Sequence, residues 1–400
     1  MLYKLFPGLQ VRPLSEDVKS RDSFVYLDRG MQVVGWVPPK NKILQKFYAI
    51  WSVLLVSLVF LWSPMGFSFT YAREMSTFTA GEFLTSIQIG LNTYGNTLKS
   101  SYTFWGTKRF KMARELLDRM DKRCTSREEQ AGIRRTVARW NRCYMIYQIS
   151  YSVYTTSTFV VATINGHLPW RFYNPLIDST KNVAFFWVAA FMEYFLMSMT
   201  VLADQCADVY PIAYMGVMRT HMNFLKLRIT RLRTNPELSE DENYQELVQC
   251  IKDHQIIMEY VEIMRPVISA TIFVQFLLIG VVLGLSMINI LFFSDFWACV
   301  ANVMFVGCVL METFPFCYLS NIIMDDAAEL SDCLFQSNWI DANHRYKTAV
   351  ISFMHRIQQP IIIIAGGVFI ICLQTNITVA KLAFSVITVV KQMDFAKKFG

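Results

Sequence analysis

The segment Arg356–Val390 reads RIQQPIIIIAGGVFIICLQTNITVAKLAFSVITVV, a nearly uninterrupted apolar run after Pro360. Only Lys381 breaks the run with a formal charge, and four other polar side chains lie inside it: Gln374, Thr375, Asn376 and Thr378. A bilayer makes buried polar groups expensive, so such groups tend to mark an aqueous path or a contact between helices. We therefore expect a membrane helix over 361–390 that does more than anchor the chain, and a channel subunit if that helix lines a pore.

The composition of the whole chain agrees with a membrane protein. The sequence is 54% hydrophobic and 14% aromatic, with only 17% charged residues. These values exceed those of soluble globular proteins and indicate an all-α polytopic membrane protein. Residues 1–45 are polar and of mixed charge, without the apolar core and cleavage site of a signal peptide, so we expect the first hydrophobic segment to act as the insertion signal.

Windows of about twenty apolar residues predict seven transmembrane spans. The fifth and sixth are separated only by a tight turn around Ser294-Asp295. The predicted spans are Phe47–Met65, Phe83–Ser101, Cys143–Ile164, Val183–Ala203, Val267–Phe293, Phe296–Met324 and Ile361–Val390.

The basic residues predict the orientation of these spans. Most of the 38 Lys and Arg residues fall in four segments, 1–46, 99–142, 206–265 and 325–360. Because cytoplasmic loops retain basic residues, we expect a cytoplasmic N-terminus and an extracellular C-terminus, with 392–400 as an extracellular tail. The opposite side holds only Arg73, Arg171, Lys181, Lys391, Lys397 and Lys398.

This orientation argues against a G-protein-coupled receptor, whose N-terminus lies outside. The chain also lacks that class's Asp-Arg-Tyr after the third span and Asn-Pro-x-x-Tyr in the seventh. The one Asn-x-Ser/Thr sequence, at Asn376, lies within the seventh span and not in an outer loop.

The cytoplasmic segments predict helices below the membrane. Segment 99–142 continues the second and third spans as helices, with Lys108 and Lys111 interleaved among apolar residues. We interpret it either as a surface for anionic lipid or as a solvated helix that sets topology. Segments 206–265 and 325–360 are amphipathic and long enough to pack together, which is consistent with a helical anchor bundle for subunit assembly.

No motif for catalysis, a cofactor or a metal is visible. The 9 Cys and 5 His residues are scattered singly, without Cys-x-x-Cys or Cys/His ligand spacing. Paired catalytic carboxylates, a nucleophile–base arrangement and a phosphate loop are also missing from the sequence. We therefore expect neither an enzyme nor a metal or cofactor site, and a transporter with inverted repeats is disfavoured. For Asp204, Asp208 and Glu312 we expect structural pairing with Arg or Lys of the cytoplasmic bundle.

A site for small volatile ligands should be lined by aromatic and Met side chains with few hydrogen-bonding groups. The third span carries three tyrosines on one helical face, and the fourth has an apolar row at matching spacing. Such rows are more often helix packing than ligand sites, so both interpretations stay open. The candidates are Phe83, Ile87, Tyr147, Tyr151, Tyr154, Val188, Met192, Phe195, Asn302 and Phe305.

Glu193 is the one carboxylate placed deep in the outer half of a span. It either pairs with a tyrosine hydroxyl or asparagine amide as a structural group, or accepts a hydrogen bond from a polar ligand. For the amide and hydroxyl groups at 374–376, pore lining and contacts between helices both remain open, because helical periodicity cannot place all three on one face.

The C-terminal segment resembles the insect odorant receptor family, specifically its odour-tuning subunits. Length, seven spans and inverted topology fit over the whole chain. The outer loop also fits through Leu168-Pro169 and Tyr173-Asn174-Pro175. The matching C-terminal residues are Phe316-Cys317, Leu330-Ser331, Trp339, Arg356-x-Gln-x-Pro360, Ala365-Gly366 and Ala383-Phe384-Ser385-Val386.

The resemblance implies a ligand-gated, non-selective cation channel in the plasma membrane of olfactory sensory neuron dendrites. The tuning subunit would form a heterotetramer with a common co-receptor, bind volatile odorants between spans two, three, four and six, and line the pore with span seven. The resemblance places the pore and gate at Ser385, Thr388 and Lys391. Thr388 stands where the co-receptor has an apolar gate and Lys391 where it has an amide. A homotetrameric channel like the gustatory receptors is the alternative.

Overall fold

The computed structural model describes residues 6–39, 41–174, 177–294 and 296–392. It is an all-α membrane protein fold in which seven spans form one bundle. We call the side that holds the N-terminal segment the inner side, and the side of the 165–182 loop the outer side. The Lys and Arg distribution predicts that the inner side is cytoplasmic.

Eleven α-helices lie in the described part of the chain. The first three are α1 Val25–Val33, α2 Lys42–Ser57 and α3 Ser63–Glu74. A π-helical turn, Leu58–Trp62, joins α2 to α3, and the three segments together form the first span. The others are α4 Ala80–Trp105, α5 Thr107–Asp121, α6 Arg127–Ile164, α7 Val183–Thr230, α8 Glu240–Phe292, α9 Phe296–Phe335, α10 His344–Ile357 and α11 Leu373–Gln392. Helices α4, α6, α7, α8, α9 and α11 provide spans two to seven.

Several helices begin at capping residues that the sequence supplies. Thr79, Ser126 and Ser239 each cap a helix and pair with a Glu three residues later, forming a capping box. The side chain of Asn182 accepts from the backbone N–H of Phe185 at the start of the fourth span. These contacts satisfy backbone donors that have no partner within the helix.

Four of the spans are apolar and long enough to cross a membrane by composition alone: the segments Ile43–Arg73, Val183–Thr230, Glu240–Phe292 and Phe296–Phe335. Spans two and three do not pass that test because they carry more polar side chains. Buried polar groups in membrane helices mark contacts or functional sites.

The second span continues as a helix past Ser101 to Trp105, in agreement with the helical extension expected for segment 99–142. Lys99, which was counted with the basic residues of that inner segment, is instead buried within the bundle. The reason is that Lys99 has carboxylate partners inside the bundle. Beyond Trp105, α5 and the start of α6 are helical, as predicted for the rest of segment 99–142.

The seventh span is shorter than predicted, because the apolar run from Ile361 does not begin as a helix. Two short strands, Ile364–Ala365 and Phe369–Ile370, pair antiparallel and precede α11. Gly366 and Gly367 make the turn with φ of 56° and 74°, values in the left-handed region that glycine tolerates. The prediction of a continuous helix over 361–390 was therefore wrong in its first twelve residues.

Helical extensions on the inner side are held together by ion pairs. Asp326 of the sixth span accepts from Arg219 at 2.5 Å and Lys226 at 2.7 Å, both on the extension of the fourth span. Arg228 bridges Glu129 and Asp253, each at 2.7 Å. The inner ends of spans three, four, five and six are thus linked into one helical bundle, which we call the inner bundle.

Candidate ligand site and seventh-span polar face

A buried ion cluster lies at the centre of the membrane bundle. The Lys99 ammonium is 2.6 Å from Asp204, 2.9 Å from Asp208 and 3.4 Å from Glu312. Gln275 of the fifth span donates to Glu312. The Tyr151 hydroxyl donates to Asp208 over 2.9 Å. The cluster therefore joins spans two to six through groups that are nearly inaccessible to solvent.

The three carboxylates of this cluster have oxygens that all lie within 4.8 Å of one another, a spacing that suits a cation. The cation present is the ammonium of Lys99, which contacts all three. The three acids pair with a lysine, as predicted, but that lysine lies within the second span and not in the inner bundle.

The three tyrosines of the third span point into the helix bundle and are buried. The Tyr147 hydroxyl donates to the Met311 carbonyl over 2.6 Å. The ring of Tyr154 lies 5.8 Å from that of Phe305 in the sixth span. Tyr151 and Tyr154 thus connect the ion cluster to an aromatic contact one helical turn further out.

The fourth-span row is not brought against these tyrosines. Phe159 of the third span instead contacts Phe191 and Tyr194, with ring centroids 5.4 Å and 4.7 Å apart. Val188 is half exposed on the bundle surface. Met192 and Phe195, which are 43% and 41% exposed, line a separate outer cavity.

That outer cavity has a volume of about 1080 Å³ and lies between the 165–182 loop and the outer parts of the first and fourth spans. Sequence reasoning missed its other apolar walls, because residues far apart in sequence form them. They include Leu58, Trp62, Phe172 and Phe186. Arg171 and Asp178 place charged groups at the same cavity.

Glu193 at the edge of this cavity holds the outer loop in place. Its two carboxylate oxygens accept from the backbone N–H groups of Trp170 and Phe172, each over 2.9 Å. The expected tyrosine or asparagine partner is thus replaced by backbone donors, a structural role that buries the carboxylate without leaving those N–H groups unsatisfied.

The remaining candidates lie in the outer half of the bundle, Phe83 and Ile87 on the second span and Asn302 on the sixth. The half-buried ring of Phe83 lies 6.4 Å from Tyr71 of the first span, and Ile87 is also half-buried. The buried Asn302 amide donates to the Ala298 carbonyl over 3.0 Å and to Ser294 over 3.2 Å.

Gln88 is a buried polar residue that sequence reasoning missed. It is 0% exposed, and neither its amide nitrogen nor its amide oxygen has a hydrogen-bond partner among the described residues. Its spacing from Lys99 places both on one face of the second span, about 16 Å apart along the helix. The amide therefore lies on the face that leads to the ion cluster, at the outer end. The one available sequence signal was a glutamine within an apolar span.

Polar side chains of the seventh span form one exposed row, which we call the polar face. Spacings of four, three, four and three residues place its five members within about 40° of one helical direction. All five are exposed on the subunit surface, and they are Gln374, Thr378, Lys381, Ser385 and Thr388. Of the predicted pore residues, Ser385 and Thr388 belong to this face, while the side chain of Lys391 lies outside the described part of the structure.

The opposite face of the seventh span packs on the sixth. Asn376 is buried, and its amide donates to the Thr313 hydroxyl over 2.8 Å. The backbone N–H of Leu373 donates to the Asn321 side chain over 2.9 Å. Asn376 therefore makes a contact between helices, whereas Gln374 faces away from the bundle, where pore lining stays a prediction.

These features define a seven-span helical membrane protein with a buried ion cluster at its centre. A family model described as "7tm Odorant receptor" matches residues 79–384. The chain is 48% identical over 399 residues to odorant receptor 22b of Drosophila melanogaster and 45% identical over 395 residues to odorant receptor 42b of the same species, covering 99–100% of each chain. It belongs to the odorant receptor family, which is not a family of enzymes.

Solved structures resemble this fold at low sequence identity. The olfactory receptor OR5 from Machilis hrabei superposes with a TM-score of 0.79 at 15% identity, covering 94% of this chain and 98% of OR5. OR5 in complex with eugenol superposes with a TM-score of 0.73, also at 15% identity, covering 94% of this chain and 100% of OR5. At this identity the likeness supports the fold alone.

Proposed function

We propose that this protein is the odour-tuning subunit of an odorant-gated, non-selective cation channel that it forms with a co-receptor subunit. It acts at the plasma membrane of olfactory sensory neurons, with its N-terminus in the cytoplasm. Membership of the odorant receptor family supports the receptor role. The single observation that supports the channel role is the polar face of the seventh span.

That polar face is costly to expose to lipid. The hydroxyls of Thr378 and Ser385 donate to carbonyls of their own helix. The Gln374 amide and the Lys381 ammonium need water or polar partners, because hydrocarbon supplies none. Ile377 and Leu382, which flank the row on either side, are also exposed. A row of polar residues flanked on both sides by exposed apolar residues suits a helix that faces an aqueous pore and contacts neighbouring subunits at its sides.

We place the odorant site in the outer half of the bundle, around the Tyr154–Phe305 contact and the Gln88 amide. Two aromatic rings supply apolar contact area, and an amide without a hydrogen-bond partner in the described part of the chain supplies N–H donors and a carbonyl acceptor for an oxygenated odorant. Pockets for small ligands combine such features. The outer cavity at Met192 and Phe195 then serves as the route by which odorants enter from the membrane surface.

Contacts between side chains connect this site to the seventh span. Tyr154 lies one turn from Tyr151, whose hydroxyl donates to Asp208 in the ion cluster. Glu312 of that cluster precedes Thr313, which accepts from Asn376 of the seventh span. Displacement of Tyr154 by a ligand would shift hydrogen-bonded groups that end on the pore helix, which is a physical route for gating.

Voltage clamp of cells that express this chain with the co-receptor tests the channel role. We expect a cation current within milliseconds of applying an active odorant from a panel, unchanged when G proteins are blocked with a non-hydrolysable GDP analogue. Loss of the current under that block would overturn the proposal. Robust current from this chain without the co-receptor would instead support the homotetrameric alternative.

Matched substitutions test where the odorant binds. Tyr154→Leu and Phe305→Leu should change the rank order of half-maximal concentrations across the panel, and Gln88→Leu should weaken responses to oxygenated odorants by about tenfold. Met192→Ala and Phe195→Ala should slow activation and leave the rank order unchanged. Val188→Ala, on the bundle surface, serves as the control. A changed rank order only in the Met192 and Phe195 variants would move the site to the outer cavity.

A further inference from the structure

Lys381 is a cation in the middle of the polar face of the seventh span. Its side chain is exposed on the subunit surface, and in the described part of the chain it makes neither a salt bridge nor a side-chain hydrogen bond. Its carbonyl, by contrast, accepts from the Ser385 hydroxyl over 3.0 Å. Lys99, the other lysine inside the membrane bundle, has three carboxylate partners. Lys381 therefore requires a different polar environment.

The position of Lys381 along α11 prevents its ammonium from reaching the membrane surface. Lys381 lies about 12 Å from the first residue of α11 and about 16 Å from the last, counting 1.5 Å per residue. A lysine side chain that extends along the helix reaches the interface only near the ends of a span. The ammonium is therefore held near the bilayer centre, where only water or a carboxylate relieves its desolvation.

Neighbouring groups favour water over a carboxylate. The residues one turn to either side, Thr378 and Ser385, are neutral hydroxyls on the same exposed face. Such groups line aqueous paths and are not countercharges. The apolar residues Ile377 and Leu382 lie on either side of the polar face, so polar groups are available to water only along this one row.

We propose that Lys381 projects into the ion pathway and limits the entry of divalent cations, so that it determines the Ca²⁺ permeability of any channel that contains this subunit. This inference rests on the proposed channel function. A fixed positive charge repels a divalent ion twice as strongly as a monovalent ion at the same distance. Each copy of this subunit thus lowers Ca²⁺ permeability more than Na⁺ permeability.

The test measures odorant-evoked currents of the co-expressed complex while external Na⁺ is replaced by Ca²⁺. In Lys381→Gln we expect the Ca²⁺ to Na⁺ permeability ratio, calculated from the reversal potential, to rise by about threefold or more. Lys381→Arg retains the charge and should keep the ratio of the wild type. Lys181→Gln removes the same charge from the outer loop and should also keep it.

A second readout asks whether water reaches this position. In Lys381→Cys, a membrane-impermeant cationic methanethiosulfonate reagent should reduce the current, and more rapidly when odorant is present. The wild type, with its native cysteines, serves as the control.

The outcomes separate the inference from the proposed function. If the wild-type complex gives no odorant-evoked current, the channel function fails. If the wild type conducts but Lys381→Gln leaves the permeability ratio unchanged, the inference about Lys381 is overturned. It is also overturned if Lys381→Gln reaches the cell surface normally but no longer associates with the co-receptor, because the ammonium then pairs with a carboxylate of the partner subunit.

Discussion

The Lys99 ammonium lies 2.9 Å from one oxygen of Asp208, and the Tyr151 hydroxyl lies 2.9 Å from the other. A single carboxylate of the fourth span thus joins the second span to the third. Lys99 also contacts Asp204 and Glu312, so one ammonium is shared by three buried acids. Removing a partner from such a cluster leaves charge buried without compensation, which costs more than the cluster contributes as a whole.

Lys99→Met is therefore expected to destabilise the protein by about 3–5 kcal/mol. Thermal unfolding of the detergent-solubilised protein and the amount of receptor at the cell surface measure this loss. Asp208→Asn alone should cost less, because the amide still accepts from Tyr151. The double variant Lys99→Met/Asp208→Asn should be more stable than Lys99→Met, since one buried charge is gone. If Lys99→Met and the double variant were equally stable, the side chains of Lys99 and Asp208 would not be coupled.

Glu193 offers a prediction that separates a structural carboxylate from a ligand-binding one. Glu193→Gln keeps one oxygen acceptor for the backbone N–H groups of Trp170 and Phe172, whereas Glu193→Ala keeps none. We expect Glu193→Gln to preserve the order of odorant potencies, and Glu193→Ala to reduce surface receptor because two buried N–H groups lose their acceptor. A reordered odorant panel in Glu193→Gln would assign the carboxylate to ligand binding.

Much of the fold follows from the sequence because span hydropathy and helix caps are local properties. Windows of apolar residues predicted the membrane helices. The caps Thr79, Ser126 and Ser239, which the sequence analysis did not single out, are equally local, because each pairs with a glutamate three positions later. The burial of Lys99 was missed for a non-local reason. Its partners Asp208 and Glu312 lie far along the chain, and without them a lysine near the end of an apolar window is counted with the basic residues of the inner side.

The candidate site was only partly accessible to sequence reasoning, since facing directions depend on how helices rotate against one another. Periodicity placed Tyr147, Tyr151 and Tyr154 on one face, and the structure buries that face. Periodicity does not tell which row of the fourth span meets it, and Met192 lies at the outer cavity instead. In the seventh span, five polar residues spaced three or four apart share a face. The sequence analysis considered the adjacent residues 374–376, which point in different directions, and therefore missed this face.

The glycine turn before the seventh span provides a matched pair of substitutions. A Cβ at Gly366 would lie 2.5 Å from the Phe273 ring, whereas a Cβ at Gly367 meets nothing within 4 Å. Both residues have positive φ, so alanine at either position incurs similar backbone strain of about 1–3 kcal/mol. We expect Gly366→Ala to lower the unfolding temperature clearly more than Gly367→Ala, because only the first adds a steric clash. Equal shifts would mean that the Phe273 ring moves away without cost.

The N-terminal segment is attached to the inner bundle through two groups with opposite pH dependence. The backbone N–H and the hydroxyl of Ser20 both donate to Asp121, over 2.8 Å and 2.6 Å. With its hydroxyl hydrogen on Asp121, Ser20 accepts from His221 Nε2 over 2.9 Å. Burial raises the pKa of Asp121 from 3.8 to about 6. Burial, and then the positive charge of Arg228, lower the pKa of His221 from 6.5 to about 3.

These shifts predict opposite pH slopes in two single variants. Asp121 has a raised folded-state pKa, so its contribution to stability is complete below pH 3.8 and is lost as pH rises through about 6. His221 has a depressed folded-state pKa, so its contribution is present above pH 6.5 and falls as pH decreases towards about 3. Between about pH 6 and 4 the two contributions oppose each other. Relative to the wild type, His221→Asn should gain unfolding temperature on acidification across this range, and Asp121→Asn should lose it. If the unfolding temperature changed with pH in the same way for both variants and the wild type, neither Asp121 nor His221 would have a pKa that differs between the folded and unfolded states.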